Sequence, residues 1–226
     1  MFCLAAPSLL HAQSAKDLYE SGLAHQEKDE DDKAIADFDQ ALAINPDHPG
    51  VHLARGIVWN KKGEYDKAIA DFNELLRICP KFADAFYNRG VVWEKKREYD
   101  KAVADYSEAL HLKSNVFYVC NNLAWLQATC PVEKLRNGTK ALENAYRART
   151  LYGHEHWRIA ATIAAAHAEN GEFSKAREWQ ENAITLVAID KSATDADKKA
   201  MRSRLNIYKA NKPYREPDKS EKLPGK

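Results

Sequence analysis

Glycine and proline are scarce in this chain of 226 residues, at nine and eight copies. That shortage excludes a collagen-like or loop-dominated protein. Cysteine is also sparse. Cys3, Cys79, Cys120 and Cys130 form no CxxC pair, so neither a zinc ribbon nor a thioredoxin-type motif is available, and the residues read as small apolar side chains. Charge of one sign is missing as well. The 34 Lys and Arg are interleaved with 33 Asp and Glu, for a net charge of +1. Such mixing marks solvated helix faces, not the basic field that phosphate binding requires, so nucleic acid is not an expected partner. The apolar N-terminal run, Phe2–Leu10, is too short to span a bilayer.

Catalytic patterns are absent too. The chain holds no Gly-rich phosphate loop, no HExxH and no GxSxG, the motifs that would place phosphates, zinc or a nucleophilic serine. His154 and His156 flank Glu155 in a turn, and His48 and His52 straddle a helix start; neither pair is expected to hold a metal. Asp31 and Asp32 sit on a solvated turn. Asn137-Gly138-Thr139 is a formal glycosylation sequon in a loop. No catalytic residue, metal site or cofactor is assigned, and the expectation is that the protein is not an enzyme.

What is present is a repeated phrase. EYDKAIADF at 64–72 returns as EYDKAVADY at 98–106, with a blurred copy, DEDDKAIADF, at 29–38. Across 56–78 and 90–112, fourteen of 23 positions are identical at an offset of 34. The same step aligns Gly22, Gly56 and Gly90; Ala34, Ala68 and Ala102; and Phe38, Phe72 and Tyr106. It also aligns Pro46 with Pro80. A fixed period of this size marks a stack of supersecondary units. Each unit reads as two short amphipathic helices, A then B. Glycine in a helix interior costs about 1 kcal/mol relative to alanine, so three at equal spacing imply a compensating close approach of helix B to helix A. The alanines are expected opposite the glycines for the same reason. The helix B aromatics are expected to fill the space between units, Tyr65 and Tyr99 to wedge the A–B turn, and Pro46 and Pro80 to stop helix B. One unit cannot cover its own apolar face, and stacking neighbours does.

These residues resemble the tetratricopeptide repeat family, in register over 15–48, 49–82 and 83–116. The first copy departs from the pattern, with Leu18 and Asp31 in aromatic places, as a terminal unit meeting water would. A fourth unit is placed at 117–156. Its A–B connection, 129–140, is longer than the repeat allows, similar to a divergent bacterial form of the family. A fifth follows at 157–190, where Ala164 takes the glycine place and Gln180 departs from the aromatic place, predicting rotated or looser packing. Thr194 with Asp197 reads as a capping box opening a helix over 194–210 that covers the last repeat with Met201, Leu205 and Tyr208. The tail 211–226, with Pro213, Pro217 and Pro224 among charges, is expected to be flexible. The fold class is therefore all-α: a right-handed α-solenoid of about five repeats with a C-terminal capping helix. Residues 1–14 resemble the later part of a secretory signal peptide, with a disordered or docked N-terminal tail as the alternative. Export to the periplasm or medium is the expectation.

The resemblance implies a function in protein interaction. Family members bind partners on the concave face lined by helices A. Carried onto this chain, those positions are Tyr19, Leu23, Leu53, Ile57, Asn60, Tyr87, Asn88, Val91, Glu94, Tyr118, Asn121, Asn122, Trp125 and Arg158, with Thr162 and Ala165 beside them. Asn88 and Asn122 stand where family members often hold a peptide backbone. The basic residues of members that clamp a C-terminal carboxylate are missing. The expectation is a scaffold, favoured as a monomer, that captures an extended peptide or partner helix. Structural assembly, with the groove filled by the protein's own N-terminus or tail, and a regulatory role in a larger complex are the alternatives.

Overall fold

The computed structural model describes residues 14–217. The signal-like segment lies outside the described residues except for Ser14, as do Cys3 and residues 218–226. Eleven α-helices and one short 3-10 turn make up the described chain. They are α1 (Ala15–Glu27), α2 (Asp31–Ile44), α3 (Pro49–Lys62), α4 (Tyr65–Ile78), α5 (Ala83–Lys95), α6 (Tyr99–Leu112), α7 (Phe117–Thr129), α8 (Gly138–Tyr152), α9 (Trp157–Glu169), α10 (Phe173–Ile189) and α11 (Asp195–Lys209). The fold is the all-α repeat solenoid. The chain divides at Ala85/Phe86, in the first turn of α5, into an N-terminal and a C-terminal compact unit.

Local chemistry sets the helix ends. Ser14 opens α1 with a capping box closed by Asp17, and Thr194 opens α11 the same way with Asp197, which satisfies two orphan N–H groups at each start. His48 accepts from the Val51 N–H at the start of α3, next to Pro49 at its first position. Three A–B turns reuse one backbone device at the repeat spacing. Asp29, Gly63 and Arg97 all have positive φ, at 59°, 79° and 65°. Only Gly63 adopts that conformation freely; the other two carry a side chain into it.

The N-terminal unit is held by a core of Leu18, Ala34, Ile35, Phe38, Ala41, Val51, Ala54 and Val58, drawn from α1, α2 and α3. The glycines do permit close approach, but the group that approaches is the aromatic ring. A Cβ on Gly22 would lie 2.4 Å from Phe38, one on Gly56 2.7 Å from Phe72, and one on Gly90 2.8 Å from Tyr106. Each ring therefore packs across its own repeat, where its atoms and not those of the alanines lie nearest the glycine; Phe38 and Tyr106 also fill the space between units as expected, sharing cores with Val51 and Val58 and with Val119 and Leu123 of the next repeat. Phe38, Phe72 and Tyr106 are all fully buried.

In the C-terminal unit, the long connection after α7 is pinned at both ends. The Asn137 N–H donates to the Gln127 carbonyl at 2.8 Å, and Arg136 reaches the Cys130 and Pro131 carbonyls and Glu169. Asn137 of the sequon caps α8, accepting from the Lys140 N–H. Gln180 is not loosely packed as its departure from the pattern suggested. It is fully buried, and its Nε2 donates to the Met201 carbonyl at 3.0 Å, tying α10 to the capping helix. Met201 and Tyr208 of that helix are buried; Leu205 is only half-buried. Cys120 and Cys130 are buried free thiols, and burial pushes both up from the ordinary thiol value. They act as small apolar side chains.

Candidate functional site

The strip carried over from the family falls on two different settings. In the N-terminal unit, Tyr19 is a packing residue. Its ring centroid lies 5.1 Å from that of His48 and 6.2 Å from that of Phe38. Leu23 packs against the same core. Leu53, Ile57 and Asn60 are half-buried along α3.

In the C-terminal unit the strip converges. Two adjoining clefts share Asn122 and Trp125. One, of about 260 Å3, is bounded by Val91, Glu94 and Lys95 of α5 and by Tyr106. The other, of about 280 Å3, brings together Asn121 of α7, Trp157, Arg158, Ala161 and Thr162 of α9, and Asp197, Ala200, Met201 and Arg204 of α11. Tyr87 and Tyr118 stack edge-on at 4.7 Å beside them, and the Asn122 amide donates weakly to the Tyr87 hydroxyl at 3.4 Å. Asn88 is half-buried on α5 and Arg158 exposed at the start of α9; the Arg158 guanidinium lies over the Trp157 ring at 4.7 Å. Thr162 and Ala165 are buried, Thr162 bonding back to the Arg158 carbonyl.

Two polar atoms at the larger cleft stand out. Asn121 Oδ1 and Arg204 Nε are buried without a hydrogen-bond partner. Such orphans cost about 1–3 kcal/mol each. On the other side, burial holds the Glu94 carboxyl well above the usual carboxylate range, against the lowering effect of a 2.7 Å bond from the Tyr106 hydroxyl. Nearby Glu216 pushes it the same way as burial does.

Glu216 belongs to the tail, whose expected flexibility needs correction over its first residues. Tyr214, Arg215, Glu216 and Pro217 are seated on the C-terminal ends of helices A. Tyr214 lies 5.8 Å from the Trp125 ring, and Arg204 lies over both rings. Arg215 pairs with Glu169 at 2.6 Å. The Glu216 N–H donates to the Thr129 carbonyl at 2.9 Å, while its carboxylate accepts from Trp125 Nε1 at 3.1 Å. Arg97 donates to the Pro217 carbonyl at 3.4 Å. Proline and charge in the sequence hid this, because the anchoring contacts reach back to groups as distant as Trp125, 91 positions earlier, and Arg97, 120 earlier.

A second arrangement escaped the sequence reading. In each of the first three repeats, an aspartate of helix B accepts from the helix A residue sixteen positions earlier. Ser21 donates to Asp37 at 2.6 Å, Arg55 to Asp71 at 2.7 and 2.9 Å, and Arg89 to Asp105 at 2.8 Å twice. Asp71 and Asp105 are buried. The aspartate recurs at every 34-residue step, the one sequence signal that could have exposed it. His52 joins Asp71, so the histidine pair 48 and 52 splits into a helix cap and a buried ion partner.

Tetratricopeptide repeat profiles match residues 18–48 and 83–116, and a further TPR repeat profile matches 58–97. The chain is a tetratricopeptide repeat protein. The solved TPR structures it resembles share its fold at low identity. MamA from Desulfovibrio magneticus RS-1, residues 41 to the end, superimposes with a TM-score of 0.69 at 16% identity, covering 80% of this chain and 99% of that one. YrrB, a TPR protein with an unusual peptide-binding site, gives 0.66 at 18%, covering 84% and 92%. A TPR protein from Parabacteroides merdae ATCC 43184 gives 0.66 at 18%, covering 87% and 73%. No curated protein matches this TPR chain in sequence. The family is in general one of non-catalytic interaction modules. No helix among the described residues is long and apolar enough to cross a membrane.

Proposed function

We propose that this TPR protein is a non-enzymatic scaffold, and that the C-terminal unit captures an extended segment of a partner protein in its two adjoining clefts. The observation that carries the reading is the pair of orphaned polar atoms. Asn121 Oδ1 is an acceptor and Arg204 Nε a donor, both buried, on residues that line one cleft with Trp125. An extended backbone offers an N–H and a carbonyl in alternation, which is the complement such a cleft needs. Trp125 and Tyr118 add apolar area of the kind that dominates binding energy. That YrrB is a peptide-binding TPR protein agrees with this assignment. The N-terminal unit has less to offer, because Tyr19 and Leu23 are committed to packing.

The test uses random peptides displayed on phage, selected against the full-length protein and against a Tyr214→Ala/Glu216→Ala variant. Selected peptides are expected to bind an Asn121→Ala/Arg158→Ala double variant about ten-fold more weakly or worse, equivalent to about 1.4 kcal/mol. The unfolding midpoint of that variant is expected to stay where it was, since Arg158 is exposed and the Asn121 oxygen bonds nothing. Enrichment by neither target, or binding untouched by the double substitution, would overturn the reading.

A further inference from the structure

We propose that the segment Tyr214–Pro217 is a built-in occupant of the peptide groove, displaced by a partner segment that presents the same chemistry: an aromatic, a basic and an acidic residue in succession on an extended backbone. The inference rests on the groove reading above and adds the ligand class and its competitor.

At the Trp125 edge of the larger cleft, which Glu216 helps to line, the tail makes contacts of the kind a foreign peptide would make, leaving Asn121 Oδ1 and Arg204 Nε to an incoming segment. The tail's main chain bonds the groove through Glu216 N–H and the Thr129 carbonyl. Its three side chains meet two receivers, Trp125 and Glu169. Tyr214 packs at a tilt against Trp125. Arg215 reaches Glu169, the last residue of α9. Glu216 accepts from the Trp125 indole. Alternating side-chain recognition along a bonded backbone is how grooves read extended peptides.

The seat is specific without being deep. Glu216 lies close enough to half-buried Glu94 to oppose its ionisation. Arg97 donates to Pro217 across a long 3.4 Å. A tethered segment held this way competes through its effective concentration, on the order of millimolar for a short linker, more than through its own affinity.

The experiment titrates a synthetic peptide of residues 212–218, KPYREPD, into two full-length proteins by calorimetry. One is the wild type and the other carries Tyr214→Ala/Arg215→Ala/Glu216→Ala. The substituted chain is expected to bind the peptide about ten-fold more tightly than the wild type or better, because the millimolar internal competitor is gone. Adding Trp125→Ala to that chain is expected to abolish binding. Should the triple variant melt early, Arg215→Ala alone, which removes the half-buried ion pair to Glu169, is expected to give a gain of about three-fold, the modest effect of losing one ion pair. Equal affinity for wild type and variants overturns the proposal. So does failure of the variant to bind KPYREPD while it still binds phage-selected peptides; the groove reading then stands without its internal occupant. Failure to bind either kind of peptide sinks both.

Discussion

Replacing Phe72 by alanine is expected to lower the unfolding free energy by about 3–5 kcal/mol, the range for emptying a buried aromatic site. Phe72 is fully buried, and its ring lies over Gly56, where a Cβ would stand 2.7, 3.0 and 3.1 Å from three ring carbons. The reverse change should expose the same contact. Gly56→Ala gains about 1 kcal/mol of helix propensity but overpacks the site at a cost of about 1–3 kcal/mol, so a net loss is expected. Combining Gly56→Ala with Phe72→Leu gives the new methyl group room, and the pair should cost less than the two single changes added together, the signature of direct contact. Urea unfolding followed by circular dichroism measures the wild type, Phe72→Ala, Gly56→Ala, Phe72→Leu and the double variant. A Gly56→Ala variant more stable than the wild type would show that the ring yields freely and that the glycine is not there for closeness.

That contact was half legible in the sequence. Equal spacing of Gly22, Gly56 and Gly90 announced a close approach, and the aromatics stood out at the same period. Which group approaches could not be read, because position i of helix A and position i+16 of helix B meet only once the turn between them has set the crossing. The same geometry hid the aspartates. On its own, Asp71 is one polar residue in KAIADF and looks solvated; its burial is decided by Arg55 on the other helix. Gln180 breaks a pattern, so sequence shows a departure and not its remedy, a bond to the Met201 carbonyl of the capping helix. For the candidate site, the positions of Asn121, Asn122, Trp125 and Arg158 around one cleft follow from helical spacing once the repeats are in register. The wall supplied by α11 and the tail seated against Trp125 do not, since no periodicity links residue 125 to residue 216. Local patterns specify hairpins well; what covers them is settled by contacts without a sequence period.

Asp71→Ala is expected to cost about 3–5 kcal/mol, the penalty for stripping one partner from a buried ion pair. Asp71 holds the Arg55 guanidinium through two bonds, at 2.7 and 2.9 Å, and accepts from His52 Nδ1 at 3.0 Å. The other imidazole nitrogen of His52 faces the Pro46 carbonyl at 2.8 Å. Both ring nitrogens thus meet acceptors, an arrangement only the doubly protonated ring satisfies. The hydrogen bond to Asp71 raises His52 above its ordinary value, with burial opposing and the Pro46 carbonyl assisting. The sign follows directly. A group whose folded value is raised contributes its full stability below the ordinary histidine value, near 6.5, and loses it as pH climbs through the raised folded value. The wild type should therefore lose stability on going from mildly acid to alkaline solution, by a component that His52→Phe removes. Phenylalanine already occupies the equivalent place in the third repeat, where Phe86 lies under Arg89 and Asp105 is paired without any histidine. In Asp71→Ala the acceptor that raises His52 is gone, so the alkaline loss should shrink in that variant as well, while the half-buried Arg55 charge is left with Asp39 alone at every pH. Denaturant unfolding at a series of pH values separates the two contributions. A wild-type stability that rises with pH over the histidine range, or an Asp71→Ala chain as stable as its parent, would show that the ion cluster is not what holds α3 to α4.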